Sequence, residues 1–362
     1  MKTKIAIYSD SLMSRGGGAH VVRELATALN ADIITCEVDE NFRNSLPKTI
    51  KIITTGSLFK NVSVPFFSLF ESPFRFYFMK DKKYDLNIYV GNYSIFAARN
   101  TKNNVWLCFS PNRIMYDLKD WKLKTSPFVN RIFLYLHVLL FQKIDNYLIK
   151  NHIRLIIAQN QNVKDRVSKY YQKRSLVIHS PVNTVNYYFK KVGDFYLTVS
   201  RLVPEKRILL IAEAFSLMPN KKLIIVGSGS EQKNIEKLIK SKDNITLLDN
   251  LDDDGVRELY SECFATIYMP INEDFGLVPI ESMASGKICV AANEGGCKET
   301  IVNMVTGVLI SPTVSDIVTT VNTIVEKDVL SMKNDCIERA RMFDTSLFVR
   351  EWKVVTQRLL QT

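Results

Sequence analysis

The residues best suited to chemistry lie in one stretch, Glu273-Asp-Phe-Gly-Leu-Val-Pro-Ile-Glu281. It falls between an apolar strand ending near Met269 and the next helical run. In an open parallel sheet, ligands collect at the carboxyl ends of strands. Asp274, Phe275, Gly276 and Leu277 present successive backbone N–H groups near a helix start. Such groups bind phosphate or hydroxyl oxygens. Glu281 lies inside the helix, about two turns beyond Glu273. A carboxylate there accepts both hydroxyls of a ribose, while Glu273 at the turn accepts sugar hydroxyls. A plainer reading stands beside this one: two solvated glutamates near a helix N-terminus, favoured by its dipole.

A second motif, Ser200-Arg201-Leu-Val-Pro-Glu-Lys206, starts at the carboxyl end of the strand 194–200. Arg201 forks onto phosphate oxygens and Lys206 adds a point charge. A departing diphosphate needs such cations. The alternative fate of these side chains is a surface salt bridge with Glu205. Three glycine loops complete the set. Gly16-Gly17-Gly18 opens a helical run, so its backbone can approach an anion closely. Gly227-Ser-Gly229 follows a strand, as does Gly295-Gly296 with Glu299 three residues on. None is a Gly-x-Gly-x-x-Gly fingerprint, and no Gly-Lys-Ser/Thr P-loop occurs. A tight turn explains each loop equally well when it is taken alone. The acidic run Asp252-Asp-Asp254 starts a helix and reads as a dipole-favoured N-terminus rather than a metal site.

These residues must be positioned by regular elements. Lys4–Ser9, Asp32–Cys36, Leu86–Val90, Asn104–Cys108 and Arg154–Ala158 are short apolar runs and read as buried strands. Val21–Leu29 and Val163–Tyr171 carry apolar residues at helical spacing. The pattern begins afresh at Asp194. Strands are expected at 194–200, 222–226, 244–248, 265–269 and 288–292, with helices at 207–216, 231–239, 252–263 and 278–284. Such alternation implies an α/β protein of two Rossmann-like, doubly wound domains with parallel sheets. The domains are expected at 1–185 and 186–344. Val177–Val192 forms the linker, and an amphipathic helix at 345–362 packs back on the first domain.

Composition narrows the partners. The chain has 362 residues, enough for two domains. Its six cysteines are scattered without a CxxC pair, which argues against a zinc ribbon or disulfide scaffold and fits a reducing compartment. Four histidines leave little room for a His-based metal site. The N-terminus does not read as a signal peptide and no run of 18 apolar residues occurs, so a cytoplasmic protein without a spanning helix is expected. Residues 1–190 hold 28 Lys and Arg against 13 Asp and Glu, whereas 191–362 hold 20 against 24. The basic half favours an anionic partner: nucleic acid, a membrane surface or a phosphorylated substrate. Nucleic acid is disfavoured, since no helix-turn-helix, zinc finger or RNP-type aromatic motif occurs. Val62–Lys83 is crowded with aromatics and ends in lysines, and Phe128–Leu140 is nearly all apolar apart from Asn130, Arg131 and His137. Both suit a peripheral membrane interface, and both are equally readable as buried helix.

The run Phe195–Leu309 resembles the nucleotide-sugar-binding half of family 4 glycosyltransferases, retaining enzymes of the two-Rossmann GT-B fold with its central cleft. The matching pieces are Ser200–Lys206, Val226-Gly227-Ser-Gly229, Glu273–Glu281 with Ala284-Ser-Gly286, and Gly295-Gly296-x-x-Glu299-Thr300, in the family's order and spacing. Gly17-Gly18-Ala19-His20-Val-Val resembles the family's Gly-Gly-Ala-Glu-Arg-Val-Val more loosely. Cys108–Arg113, followed by Met115-Tyr116-Asp117, resembles a His-Thr-Pro-x-Arg segment of mannosyltransferase-like members. Phe109 stands where that subgroup carries histidine, and Asn250 where glycine is common. His137, His152 and His179 are the histidines left to replace it.

The resemblance implies a donor on the C-terminal domain and an acceptor on the N-terminal one. Glu281 would hold the ribose, Arg201 and Lys206 the diphosphate, and Glu273 with the Asp274–Leu277 backbone the sugar. Gly227 would lie along the phosphates, and the Gly16–Gly18 loop, with Gly17 and Gly18, would close over the phosphate or the acceptor from the N-terminal side. Arg113, Tyr116 and Asp117 would meet the acceptor. No metal and no cofactor are called for. The favoured expectation is hexose transfer, with retention, from a UDP- or GDP-sugar to a lipid-linked glycan at the cytoplasmic membrane face. Two others stay open: transfer to a small sugar or sugar phosphate, and a nucleotide-sugar-binding protein that has lost transfer through Phe109.

Overall fold

The structure, a computed structural model, describes residues 3–13, 16–56, 67–79, 84–249 and 251–361, with backbone alone at 67–70. Parts of the aromatic segment Val62–Lys83 and the departure at Asn250 lie outside the described residues. The chain divides into two compact units, 1–180 with 348–362, and 181–347.

The first unit is built on strands β1 (Ile5–Ser9), β2 (Asp32–Thr35), β3 (Ile52–Thr54), β4 (Leu86–Val90), β5 (Asn104–Cys108), β6 (Leu155–Ala158) and β7 (Leu176–Val177). They pair in parallel in the order β3-β2-β1-β4-β5-β6-β7. Both faces are covered, as a parallel sheet requires. Ala6, Tyr8, Tyr89 and Trp106 enter the core on one face, while Ile5, Ile7, Ile88 and Leu107 enter it on the other. This is the period of two that a pleated strand imposes. β3 and β7 escape the sequence reading because they hold three and two residues at edges of the sheet.

The second unit repeats the plan with β8 (Phe195–Val199), β9 (Lys222–Val226), β10 (Ile245–Leu248), β11 (Ala265–Tyr268), β12 (Cys289–Ala292) and β13 (Gly307–Ile310). Their order is β10-β9-β8-β11-β12-β13, again all parallel. Chain order runs outward in both directions from β8, so β8 and β11 flank the topological switch point where ligands lodge. Asp252 caps the helix Asp253–Glu262 by accepting the Gly255 N–H at 2.8 Å, which matches its expected role.

The division falls at Ser180–Pro181, five residues before the expected boundary. Val182 donates to the Phe343 carbonyl (2.9 Å) and accepts from the Thr345 N–H (3.1 Å). The Asp344 carboxylate accepts from the Thr184 hydroxyl at 2.6 Å. These bonds tie 182–184 to the end of the second unit. The last helix, Thr345–Gln361, sends Phe348 and Trp352 into the core of the first unit. Helix Phe128–His152 belongs to the first unit. It is long and apolar enough to cross a membrane by length and composition. One face of it (Leu134, Val138, Phe141, Leu148, Ile149) is buried in the first unit's core.

Candidate functional site

The loops after β8 and β11 meet at the switch point of the second unit. Lys206, in a short turn Pro204–Lys206, donates to Glu273 Oε2 at 2.5 Å. Tyr268, the last residue of β11, donates its hydroxyl to the same oxygen at 2.8 Å and lies 3.2 Å from Lys206 Nζ. The Lys206 and Glu273 side chains are only 15% and 14% exposed, so their attraction is poorly screened. Burial and the adjacent Glu273 charge hold the Tyr268 phenol well above its usual range, so it stays a proton donor. The backbone reinforces the junction: Ile271 N–H donates to the Glu205 carbonyl at 2.8 Å. The expected alternative, a salt bridge to Glu205, is not formed by Lys206; its partner is Glu273. The neighbouring Arg207 reaches Glu294 at 3.2 Å, and Glu294 accepts the Asn272 N–H at 2.9 Å. A cation and a carboxylate therefore brace the loop 269–276 from behind.

Glycines let these loops close on each other. Gly227 has φ +141°, and a Cβ on it would lie 1.9 Å from the Ser200 carbonyl oxygen. Leu202 N–H donates to the Ser228 carbonyl at 2.9 Å, so the Arg201 turn is fastened to the glycine loop by backbone alone. At Gly295 (φ +53°) a Cβ would lie 2.3 Å from the Glu273 carbonyl oxygen. Gly296 N–H donates to that same carbonyl at 2.7 Å. The glycines thus hold the backbone at Arg201 and Glu273 rather than merely permitting a turn.

The exposed Arg201 side chain makes no ion pair or hydrogen bond among the described residues. Gly276 (φ +87°) precedes the helix Leu277–Ala284, whose N-terminus carries no side-chain cap. Its first N–H groups are left for solvent or a ligand. Asp274 lies just before it, and Phe275 is buried edge-on against Phe343 at 5.6 Å. Glu281 stands further along that helix and accepts from the Tyr260 hydroxyl at 2.8 Å. Burial pushes its carboxyl up, and hydrogen bonds from Tyr260 and Tyr187 pull it back. The second unit thus gathers Arg201, Lys206, Gly227, Glu273 and the 274–277 backbone on loops at one edge of its sheet, with Glu281 on the helix that follows. Tyr268, Glu294 and Arg207 escaped the sequence reading. Tyr268 looks like an ordinary strand residue, and Glu294 carries no motif beyond its place before Gly295.

In the first unit, Gly17 and Gly18 start the helix Gly17–Leu29 behind Gly16, without a side-chain cap. A Cβ on Gly18 would lie 3.3 Å from the Phe109 ring, so Phe109 sits against this helix start. Arg113 and Asp117 pair at 2.9 Å, with Arg166 3.7 Å from the same carboxylate. Tyr116 is turned inward, and both its hydroxyl and that of Tyr171 donate to buried Asp145 at 2.8 Å. Asp10 also went unnoticed in the sequence. Its half-buried carboxylate accepts N–H groups of Asn92, Tyr93 and Ser94 at 2.6–3.0 Å and fills the turn after β4. Of the histidines weighed as replacements at position 109, His137 is buried against Tyr93 and Phe141, and burial lowers it to about 4. His152 lies beside Tyr147 at the end of its helix. His179 contacts the Gln159 carbonyl at 3.2 Å, and Gln159 in turn donates to the Phe109 carbonyl at 2.5 Å.

Two parallel α/β units of this topology define the GT-B class. Solved structures share it over nearly the whole chain. HepE of Anabaena, in complex with UDP and glucose, superposes with a TM-score of 0.74 at 17% identity, covering 98% of this chain and all of its own. Sucrose-phosphate synthase of Thermosynechococcus elongatus gives 0.79 at 17% identity over 99% of this chain and all of its own. Residues 187–343, most of the second unit, match the family described as Glycosyl transferases group 1. Among curated relatives, the alpha-1,3/1,6-mannosyltransferase ALG2 of Dictyostelium discoideum is 27% identical over 53% of this chain and 51% of its own. The O-antigen chain mannosyltransferase RfbU of Salmonella typhimurium is 28% identical over 36% of this chain and 39% of its own. The chain thus spans about half the length of the first of these relatives and less of the second.

Proposed function

We propose that this chain transfers a hexose, with retention, from a nucleotide-diphosphate sugar to a hydroxyl of a glycan acceptor. The observation that carries the reading is the pairing of Lys206 with Glu273 across the switch point, beside the uncapped helix start at Gly276. Arg201 and Lys206 receive the diphosphate, Glu273 and the 274–277 backbone orient the sugar, and Glu281 takes the ribose. The bond from the anomeric carbon to the diphosphate oxygen breaks as the acceptor oxygen bonds to the same face of that carbon. The acceptor proton passes to a departing diphosphate oxygen. Preorganised cations at the place where this charge develops are the main source of rate. Because the side chains themselves supply that charge, chelators of divalent cations are expected to leave the rate unchanged.

The relatives named as mannosyltransferases favour a mannosyl donor, while the UDP held by the Anabaena neighbour keeps UDP-sugars in the reading. We place the acceptor on a polyprenyl carrier at the cytoplasmic face of a membrane, supported by the cationic first half of the chain. The test is transfer from UDP- and GDP-hexoses to polyprenyl-diphosphate glycans by the purified chain, read by mass spectrometry. Lys206→Ala and Glu273→Gln are each expected to lower kcat about a hundredfold or more. Transfer that survives both Arg201→Ala and Glu273→Ala would contradict the assignment. Transfer to free sugar phosphates, with none to the polyprenyl glycans, would move the acceptor to the soluble class.

A further inference from the structure

The long helix Phe128–His152 has a second face that no other element covers among the described residues. Phe128, Val129, Ile132, Leu136, Leu139 and Leu140 are all exposed there, Phe128 by 73% and Leu139 by 57%. At 100° per residue these positions fall on one side, opposite the buried Leu134, Val138 and Phe141. The apolar stretch is about 18 Å long at 1.5 Å per residue. The same unit also exposes Phe74 and Phe78, stacked with ring centroids 6.4 Å apart, with Phe74 edge-on to Phe141 on the helix's buried side. Contiguous apolar surface on this scale marks an interaction site.

The character of the face changes along the helix. Beyond Leu140 the same side carries Lys143, Tyr147 and Lys150. Lys143 also borders an open depression of about 570 Å³ with Lys119, Lys169, Gln142, Tyr116 and Tyr170. Lys119, Lys143 and Lys169 form no ion pair among the described residues. Residues 119–152 contain six Lys and Arg and two carboxylates, and one of these, Asp145, is buried. An apolar stripe ending in unpaired lysines is complementary to acyl chains bordered by phosphate headgroups. It matches neither a neutral protein groove nor a cationic partner.

We propose that this face is a docking surface for an anionic lipid bilayer, with Phe128–Leu140 entering the acyl boundary and Lys119, Lys143 and Lys169 at the headgroup level. The helix lies on the membrane rather than through it, because its opposite face is part of the first unit's core. The surface belongs to the first unit and stands independently of the donor site.

The test is flotation of the full chain with phosphatidylcholine vesicles, with and without phosphatidylglycerol. Wild type is expected to float with the anionic vesicles, and less as salt rises from about 0.1 to 0.5 M. Leu136→Glu and Leu139→Glu are each expected to lower the bound fraction about tenfold. Lys143→Glu is expected to lower it about threefold. UDP or GDP binding and melting temperature should stay at wild-type values in all three. Absence of wild-type flotation, or flotation indifferent to phosphatidylglycerol and salt, overturns the proposal. So does a folded Leu139→Glu variant that floats like wild type. A wild-type dimer that Leu139→Glu dissociates, without vesicle binding, would assign the face to a second copy instead. Should the glutamate variants fail to fold, the wild-type dependence on phosphatidylglycerol and salt decides alone.

Discussion

Lys206 and Glu273 meet two demands at once. Each fixes the other's rotamer, and each has an electrostatic task if a sugar diphosphate arrives. Tyr268 is the third member of this group, since its hydroxyl reaches both. A hydrogen bond to a charged group is worth about 1.5–3 kcal/mol. Tyr268→Phe is therefore expected to lower kcat/KM about ten- to a hundredfold and to lower the melting temperature as well. Steady-state kinetics beside a thermal melt check this, and unchanged kinetics would remove Tyr268 from the group. Asp145 offers a separate measurement. Burial raises its carboxyl to about 6 against the donated hydrogen bonds of Tyr116 and Tyr171. The unfolded chain releases this proton near 3.8, so between 3.8 and about 6 the folded state holds more protons. The contribution to stability is complete below the lower value and is lost as pH rises through the upper one, by about 3 kcal/mol. Asp145→Asn is expected to flatten that slope in urea unfolding measured from pH 4 to 7. At this scale the motif residues were legible because charge beside a strand end has few structural uses. Tyr268 and Asp10 were not. A tyrosine closing an apolar strand and an aspartate after one look the same whether or not they hold a loop.

The loops after β8, β9, β11 and β12 behave as one assembly because backbone touches backbone. Gly227 and Gly295 stand at the tightest approaches. Gly227→Ala would have to open the Ser200 contact and also strain a positive φ, a combination costing about 2–4 kcal/mol. Chemical unfolding is expected to show that loss. Any variant that still folds should bind UDP or GDP more weakly, since the Arg201 turn shifts. A variant of wild-type stability would show that the turn is looser than its geometry. Elements with long apolar runs were read correctly to within a residue or two, as for β4, β5 and β9. The misses share a cause. β13 begins on Gly307 and is four residues long. β3 is only partly buried. In such segments neither periodicity nor run length separates a strand from a loop. The helix Phe128–His152 posed the opposite difficulty. Its apolar residues lie on both faces, so the sequence alone could not tell core from exposed stripe.

At the scale of the molecule, the charge asymmetry and the two sheets divide the work. The first unit is cationic and carries the lipid-facing helix proposed above. The second carries the family match and the loops proposed to receive a diphosphate. Two doubly wound units were legible because strand and helix alternate twice with a fresh start at Asp194. The units divide a few residues before the expected boundary, where 182–184 bond to Phe343, Asp344 and Thr345, which local sequence does not reveal. The account rests above all on a nucleotide diphosphate seated on the second unit beside Lys206. Isothermal titration of UDP and of GDP into the wild-type chain and into Lys206→Ala tests this most directly. One nucleotide is expected to bind the wild type, with affinity at least about tenfold weaker in Lys206→Ala measured well below the variant's melting temperature. If neither nucleotide binds, or the folded variant binds as tightly as the wild type, the central claim is contradicted.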